Sequence, residues 1–245
     1  MMLVDIHAHL TFPEFNKDLN EVIERAKTVG VVEIITSGTS IKSNQEALDL
    51  SKKFSIIKPS FGAYPTEITL KNVDEQLEFI DKHKRDLVAV GECGMDFKEK
   101  DNFDEQKKCF ERVIALSEKI NKPIIIHSRK AEKECLDILE SSSKKKVVLH
   151  CFSANMKLVQ RAYDLGYYFS IPTVITRLIH FQEVVKRVPI DKILTETDAP
   201  YLSPFQYERN EPAFIVETIK KIAELKKLEK EEVEKLIFMN FRQIF

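Results

Sequence analysis

Met2-Leu3-Val4-Asp5-Ile6-His7-Ala8-His9-Leu10 opens the chain. Its apolar start reads as a buried strand, Met2–Ile6. Residues two apart on a strand point to the same side. His7 and His9 therefore project together where the strand gives way to the polar loop after Leu10. Neutral imidazole is a preferred ligand of zinc and other borderline divalent ions, so the pair reads as half of a metal site. A His-x-His alone equally fits two histidines that only hydrogen-bond at a strand end. The other strand ends decide between the two.

Downstream, short apolar runs alternate with longer amphipathic ones. The pattern predicts strands over Val31–Thr36, Ser55–Gly62, Leu87–Val90, Pro123–Ile126, Val147–Leu149, Tyr167–Ile171 and Ile193–Thr195. It predicts helices over Leu19–Val29, Asn44–Lys53, Asn72–Lys84, Phe103–Ile120, Ala131–Glu140, Asn155–Leu165 and Phe181–Val188, with two more at the C-terminus, about Glu211–Leu225 and Lys230–Phe238. Strands alternating with helices imply a parallel sheet, and right-handed crossovers lead it to a closed barrel. The expected fold is one (β/α)8 TIM barrel domain over residues 1–245 with extra C-terminal helices. A length of 245 residues suits it, since such barrels typically need about 250. An open doubly wound sheet would carry a Gly-rich phosphate turn after its first strand; His-Ala-His stands there instead.

A barrel places its active site at the C-terminal ends of its strands. Glu92 follows Leu87–Val90, His127 follows Pro123–Ile126, His150 follows Val147–Leu149, and Asp198 follows Ile193–Thr195. Any one of these could be structural. With His7 and His9 they make four histidines and two carboxylates, each expected just past a strand. His83, in a charged run, and His180, opening a helix, read as solvated surface residues. Two divalent ions about 3.5–4 Å apart can share a carboxylate and a water, and that water loses a proton easily. Glu92 is the expected bridge, because its strand lies between the strand of His7 and His9 and those of His127 and His150. Asp198 is the expected ligand and general base.

Composition limits the alternatives. Hydrophobic residues make up 43% and charged residues 31%, as in a soluble globular protein. The net charge of −1 supplies no global basic field for nucleic acid, so any phosphate affinity must be local. Cys93, Cys109, Cys135 and Cys151 show no CxxC spacing and read as reduced thiols of a cytoplasmic protein. The N-terminus enters a strand at once, without the pattern of a signal peptide. No run approaches the roughly 18 apolar residues of a membrane span.

At this point the sequence resembles the TatD-related metal-dependent deoxyribonucleases of the amidohydrolase superfamily. The matching stretches are Asp5–Leu10, Gly91-Glu92-Cys93-Gly94-Met95-Asp96, Pro123–Arg129, His150-Cys151-Phe152-Ser153, Glu196–Leu202, Asn210-Glu211-Pro212 and the closing Asn240–Phe245. They span the chain in family order. The resemblance implies a barrel with two divalent ions (zinc, manganese or magnesium), one held by His7, His9, Glu92 and Asp198, the other by Glu92, His127 and His150. It also implies hydrolysis of DNA phosphodiester bonds, often from the 3′ end. Three positions depart from the family pattern. Tyr64-Pro65 stands where His-Pro is common, Ala154 where Gly is usual, and Ile171-Pro172 where a Gly usually follows the seventh strand. Tyr64 can still hydrogen-bond a phosphate oxygen through its phenol.

Arg129 is expected either to hold a phosphate bidentately or to form an ion pair with a nearby Glu, and Arg177 is a lesser candidate for the first role. Asp96 is expected to orient a ligand or to cap a turn. Lys144-Lys145-Lys146 precedes the sixth strand and reads as a solvated loop on the face away from the site. The function expected is DNA hydrolysis at the barrel mouth by a metal-activated water, exonucleolytic from the 3′ end, with Glu92 and Asp198 catalytic and Arg129 and Tyr64 on the substrate. The alternative is hydrolysis of a small amide, lactone or ester by the same metals. A vestigial barrel would have no reason to keep all six ligands. No obligate protein partner is expected.

Overall fold

A computed structural model of the protein describes residues 2–98, 102–144 and 146–245. Among them, strands and helices alternate as β1 (Leu3–Ala8), α1 (Leu19–Thr28), β2 (Val31–Ser37), α2 (Ile41–Lys53), β3 (Ile57–Ala63), α3 (Val73–Lys82), β4 (Ala89–Asp96), α4 (Phe103–Lys119), β5 (Ile124–Arg129), α5 (Glu132–Ser141), β6 (Val147–His150), α6 (Met156–Asp164), β7 (Tyr168–Pro172), α7 (Ile179–Arg187), β8 (Ile193–Glu196), α8 (Ile215–Lys226) and α9 (Lys230–Ile244). Strand order follows the chain from β1 to β8, and every hydrogen-bonded pair is parallel. This is the (β/α)8 TIM barrel that the sequence pattern predicts. The strands are buried on both faces, as all six residues of β1 are, because helices cover the outside while side chains fill the inside.

The seam between β8 and β1 closes through side chains. Thr195 Oγ1 donates to Val4 O at 2.8 Å. The buried Asp5 carboxylate accepts from Thr197 N–H at 2.9 Å and from Thr197 Oγ1 at 2.5 Å. One step further on, Asp198 N–H donates to His7 O at 2.9 Å and His9 N–H to Ala199 O at 2.8 Å. The seam thus holds Asp198 beside His7 of β1 and His9 just past it.

Strand ends differ from the sequence reading in a way that matters for the site. His7, Glu92, His127 and His150 lie inside β1, β4, β5 and β6, His7 and His150 near the ends of their strands and Glu92 and His127 nearer the middle; only His9 and Asp198 follow their strands. The difference is greatest in β4, read as ending at Val90 because Gly91-Glu92-Cys93-Gly94 has the composition of a loop. The strand instead continues through an irregularity in its pairing and regains register with Cys93 opposite Ile126 and Gly94 opposite His127. Gly94 makes this possible. Its φ of +143° suits glycine, and a Cβ there would lie 2.0 Å from His127 O.

Other ends moved for local reasons. α2 begins at Ile41 rather than Asn44 because Ser40 and Ser43 cap it reciprocally, a hydroxyl pair doing the work of a capping box. α9 runs on to Ile244, burying Phe241 and Ile244, while Asn240 Nδ2 donates to Ile190 O at 2.7 Å and Ile193 O at 2.8 Å. The lysine run also departs from expectation. Lys144 is buried and its Nζ donates to Ser117 O at 3.1 Å and to Lys122 O; Lys146 is exposed, and Lys145 lies outside the described residues. A lysine snorkels its amine to backbone carbonyls when apolar neighbours take its stem. His83 and His180 are half-buried rather than solvated: His83 packs its ring 4.7 Å from that of Phe79, and His180 Nε2 lies 3.4 Å from Phe152 O.

Candidate metal centre

The four histidines each aim one ring nitrogen inward and fix the other on the barrel wall. His7 and His9 turn their Nε2 atoms towards one another, 3.2 Å apart. Their Nδ1 atoms meet Ser37, His7 on the hydroxyl at 3.0 Å and His9 on the carbonyl at 3.1 Å. His150 gives its Nδ1–H to Glu196 Oε2 at 2.8 Å. His127 is the reverse case, with Nδ1 inward and Nε2 on Asp96 Oδ2 at 3.1 Å. Such anchors choose the tautomer and orientation of a ligating imidazole.

Glu92 stands in the middle, 2% exposed. Its Oε2 lies 3.5 Å from His7 Nε2 and 3.5 Å from His9 Nε2. Its Oε1 lies 2.6 Å from His127 Nδ1 and 3.8 Å from His150 Nε2. Asp198 Oδ1 completes the first group, 3.6 Å from His7 Nε2 and 3.5 Å from His9 Nε2. Asp198 has a φ of +57°, a left-handed conformation that Asp tolerates better than most residues. All six residues singled out by sequence thus converge. Ligand atoms of His7, His9 and Asp198 lie within 4.8 Å of one another, as do those of His7, Glu92 and His150. The rings of His7 and His150 also stack, 3.9 Å apart.

Charge in the cluster is balanced by its neighbours. Burial opposes ionisation of Glu92, yet the imidazoles of His127 and His7 outweigh it and hold the carboxyl well below the usual range. Asp198 is lowered likewise, its burial outweighed by His150 and His9. His127 resists burial through Glu92 and Asp96 and is pushed up to about 9. His9 is also raised, by Asp198 and Glu92 against its burial, whereas burial and neighbouring imidazole lower His7 and His150. Two imidazole nitrogens facing each other beside carboxylates need a proton or a cation between them. Donors of this kind, nitrogen and carboxylate oxygen, suit zinc, manganese and related divalent ions, so the residues fit a metal.

The cluster floors a cavity of about 620 Å³, within the size of ordinary ligand pockets. Tyr64 and Arg129 both line it. Tyr64 sets its ring 5.1 Å from that of His127. Arg129 Nη1 lies 3.9 Å from Asp96 Oδ2, an ion pair with an aspartate where a glutamate was expected. Arg177 is not among the lining residues; its Nη2 donates to Ser203 O at 2.7 Å. Sequence reasoning assigned no task to Ser37, Asp5 or Glu196. Strand alternation carried a signal for two of them, since Asp5 falls two residues before His7 and Glu196 two before Asp198. Nothing in the sequence marks Ser37.

A parallel barrel with buried histidines and carboxylates converging at the C-terminal ends of its strands defines the class of metal-dependent hydrolase barrels. The profile of the TatD-related DNase family matches residues 4–245, and the chain belongs to that family of metal-dependent hydrolases. It is 35% identical over 244 residues to an uncharacterized metal-dependent hydrolase of Methanocaldococcus jannaschii, covering 99% of this chain and 96% of that protein. It is 33% identical over 258 residues to the human protein named deoxyribonuclease TATDN3, covering 99% and 94% respectively. Among solved structures, the TatD homolog YJJV from Escherichia coli K12 superposes with a TM-score of 0.91 at 26% identity, covering 99% of this chain and 97% of that one.

Proposed function

We propose that the protein is a deoxyribonuclease that hydrolyses DNA phosphodiester bonds from the 3′ end, using two divalent ions. The observation that carries this is the division of Glu92: one carboxylate oxygen faces His7 and His9, the other faces His127 and His150. A carboxylate placed between two histidine pairs is the arrangement a shared ligand needs. His7, His9, Glu92 and Asp198 would hold one ion, and Glu92, His127 and His150 the other; zinc, manganese and magnesium all suit the donors. Bound there, the ions would supply Lewis acidity towards a water and a phosphoryl oxygen. Asp198, half-buried at the cavity floor, accepts the proton of the attacking water, for which its lowered pKa keeps it ionised. Arg129 and Tyr64 hold phosphate oxygens from the cavity wall. Four unpaired thiols suit a reducing cytoplasm, and no helix among the described residues is long and apolar enough to cross a membrane. The name of the human relative is a further support.

The test pairs metal content with cleavage of a 5′-labelled single-stranded oligodeoxynucleotide. Wild type supplied with zinc, manganese or magnesium is expected to shorten it stepwise. Asp198→Asn keeps the fold and loses roughly 10²–10⁴-fold in turnover, the usual contribution of a general base. Unchanged turnover removes Asp198 from the mechanism, and intact DNA with all three metals overturns the proposal.

A further inference from the structure

Two aromatic rings at the cavity rim have no part in the cluster below them. Phe12, just past β1, and Tyr201, just past β8, both line the cavity. Phe12 lies over the His9 imidazole, ring centroids 4.7 Å apart and planes 12° apart. Tyr201 stands edge-on to Phe12 at 6.1 Å and 74°, so the rings make a corner. Covering His9 accounts for Phe12. It does not account for Tyr201, which leaves 51% of its surface in solvent.

The corner is rigid and in register with the cluster. Phe12 N–H donates to His9 O at 3.1 Å and Tyr201 N–H to Asp198 O at 2.8 Å. Each ring therefore sits three residues past a proposed ligand, in a hydrogen-bonded turn. The buried Asn210 ties the second turn down, donating Nδ2–H to Thr197 O at 2.7 Å and Tyr201 O at 2.6 Å. Arg209 grips the Asp18 carboxylate at 2.8 and 2.6 Å, joining the loop of Tyr201 to the segment that follows Phe12. By strand order, Arg129 on β5 stands across the barrel from this corner. A fixed aromatic corner beside a phosphate site, with a guanidinium opposite, is the combination that stacks a nucleobase while the backbone lies over the floor. Rings with two side-chain torsions lose little freedom in doing so.

We propose that Phe12 and Tyr201 form a stacking subsite for the base of a nucleotide flanking the scissile phosphate. The subsite reads the π-face of the base and so tolerates any sequence. It rests on the phosphodiesterase reading above and adds the residues that locate the substrate.

A double-mutant cycle tests it. One axis is wild type against Tyr201→Leu. The other is a single-stranded oligodeoxynucleotide with a base, or a tetrahydrofuran abasic residue, at each position flanking the cleaved bond. The cycle is read as kcat/KM for cleavage, and as Kd by fluorescence anisotropy in the metal-loaded Asp198→Asn background, where turnover is slow. Wild type is expected to lose about tenfold in kcat/KM on the abasic strand at one of the two positions, as one stacked base commonly contributes. Tyr201→Leu loses about as much on the intact strand and little more on the abasic one. Tyr201→Phe restores the coupling, and Phe12→Leu, checked for metal content, weakens it. A wild type that ignores the missing base at both positions overturns the subsite, as does a Tyr201→Leu variant that senses it as wild type does. Coupling in Kd without turnover of any strand keeps the subsite and overturns the phosphodiesterase reading. Absence of coupling and turnover together overturns both.

Discussion

Gly62 of β3 is where one added methyl group should displace Glu92 through its backbone. A Cβ there would lie 2.2 Å from Gly38 O, 2.5 Å from Glu92 N and 2.5 Å from Glu92 O. All three neighbours are backbone, so no rotamer relieves the clash. Carbon atoms pack comfortably at about 3.5–4.0 Å, so Glu92 has to retreat on the order of 1 Å. Gly62 itself cannot give way. Its N–H and carbonyl are both bound by the buried Asn44 side chain, at 2.9 Å each. Overpacking of this kind costs about 1–3 kcal/mol. At roughly 2–4 °C per kcal/mol for a chain of this size, Gly62→Ala should melt several degrees below wild type while keeping its secondary structure. A reacting group misplaced by about 1 Å can cost 10²-fold in rate, and Glu92 is the residue displaced. Thermal melts by circular dichroism, metal content by elemental analysis and kcat/KM on the oligonucleotide make the assay. A Gly62→Ala protein that melts several degrees lower yet holds metal and turns over like wild type would show that Glu92 is not held to this tolerance.

Two further predictions concern protons. Because His127 is pushed up to about 9 and His9 is also raised, a cation has to displace protons to enter. Metal affinity should therefore climb as pH rises towards about 9, roughly tenfold per unit for each proton displaced; calorimetric titrations across that range check it, and a flat profile sinks it. Burial lowers Lys144 from 10.5 to about 8, so between those values the folded chain holds fewer protons than the unfolded one and stability rises with pH. The stability of wild type relative to Lys144→Met, from denaturant midpoints, should increase from pH 8 to pH 10.5, and a constant difference refutes the assignment.

The sequence made the barrel and the six cluster residues legible for one physical reason. Parallel strands are buried on both faces, so a histidine or carboxylate after an apolar run stands out. What it hid was the wall behind the ligands. Ser37 ends β2 and holds His7 and His9 with its hydroxyl and carbonyl; no pattern distinguishes such a serine from one facing solvent. β4 was cut short because its glycines look like a turn, although they serve close approach to β5. Lys144 was misread because charge in a loop is usually solvated, while its neighbours' carbonyls take the amine inside. Phe12 and Tyr201 gave no periodic signal, since both lie in turns outside the strands.

With a net charge of −1, attraction for a phosphodiester has to be local, from the cluster and from Arg129 on the cavity wall. Without metal the cluster's carboxylates and imidazoles face one another. Burial resists the charge on Glu92, Asp96 and Asp198, but facing imidazoles hold all three below the usual carboxylate range. The imidazoles that carboxylates raise are His9, in the group with His7 and Asp198, and His127, between Glu92 and Asp96. Each raised imidazole stands in a half of the cluster where the proposed reading puts a divalent ion. Loading would then set two double positive charges against the three carboxylates, a locus with surplus positive charge. Burial raises Asp5 to about 8 and Glu196 well above its ordinary value; both stand behind the ligands and orient Thr197 and His150. On this account DNA affinity follows metal occupancy rather than a basic surface.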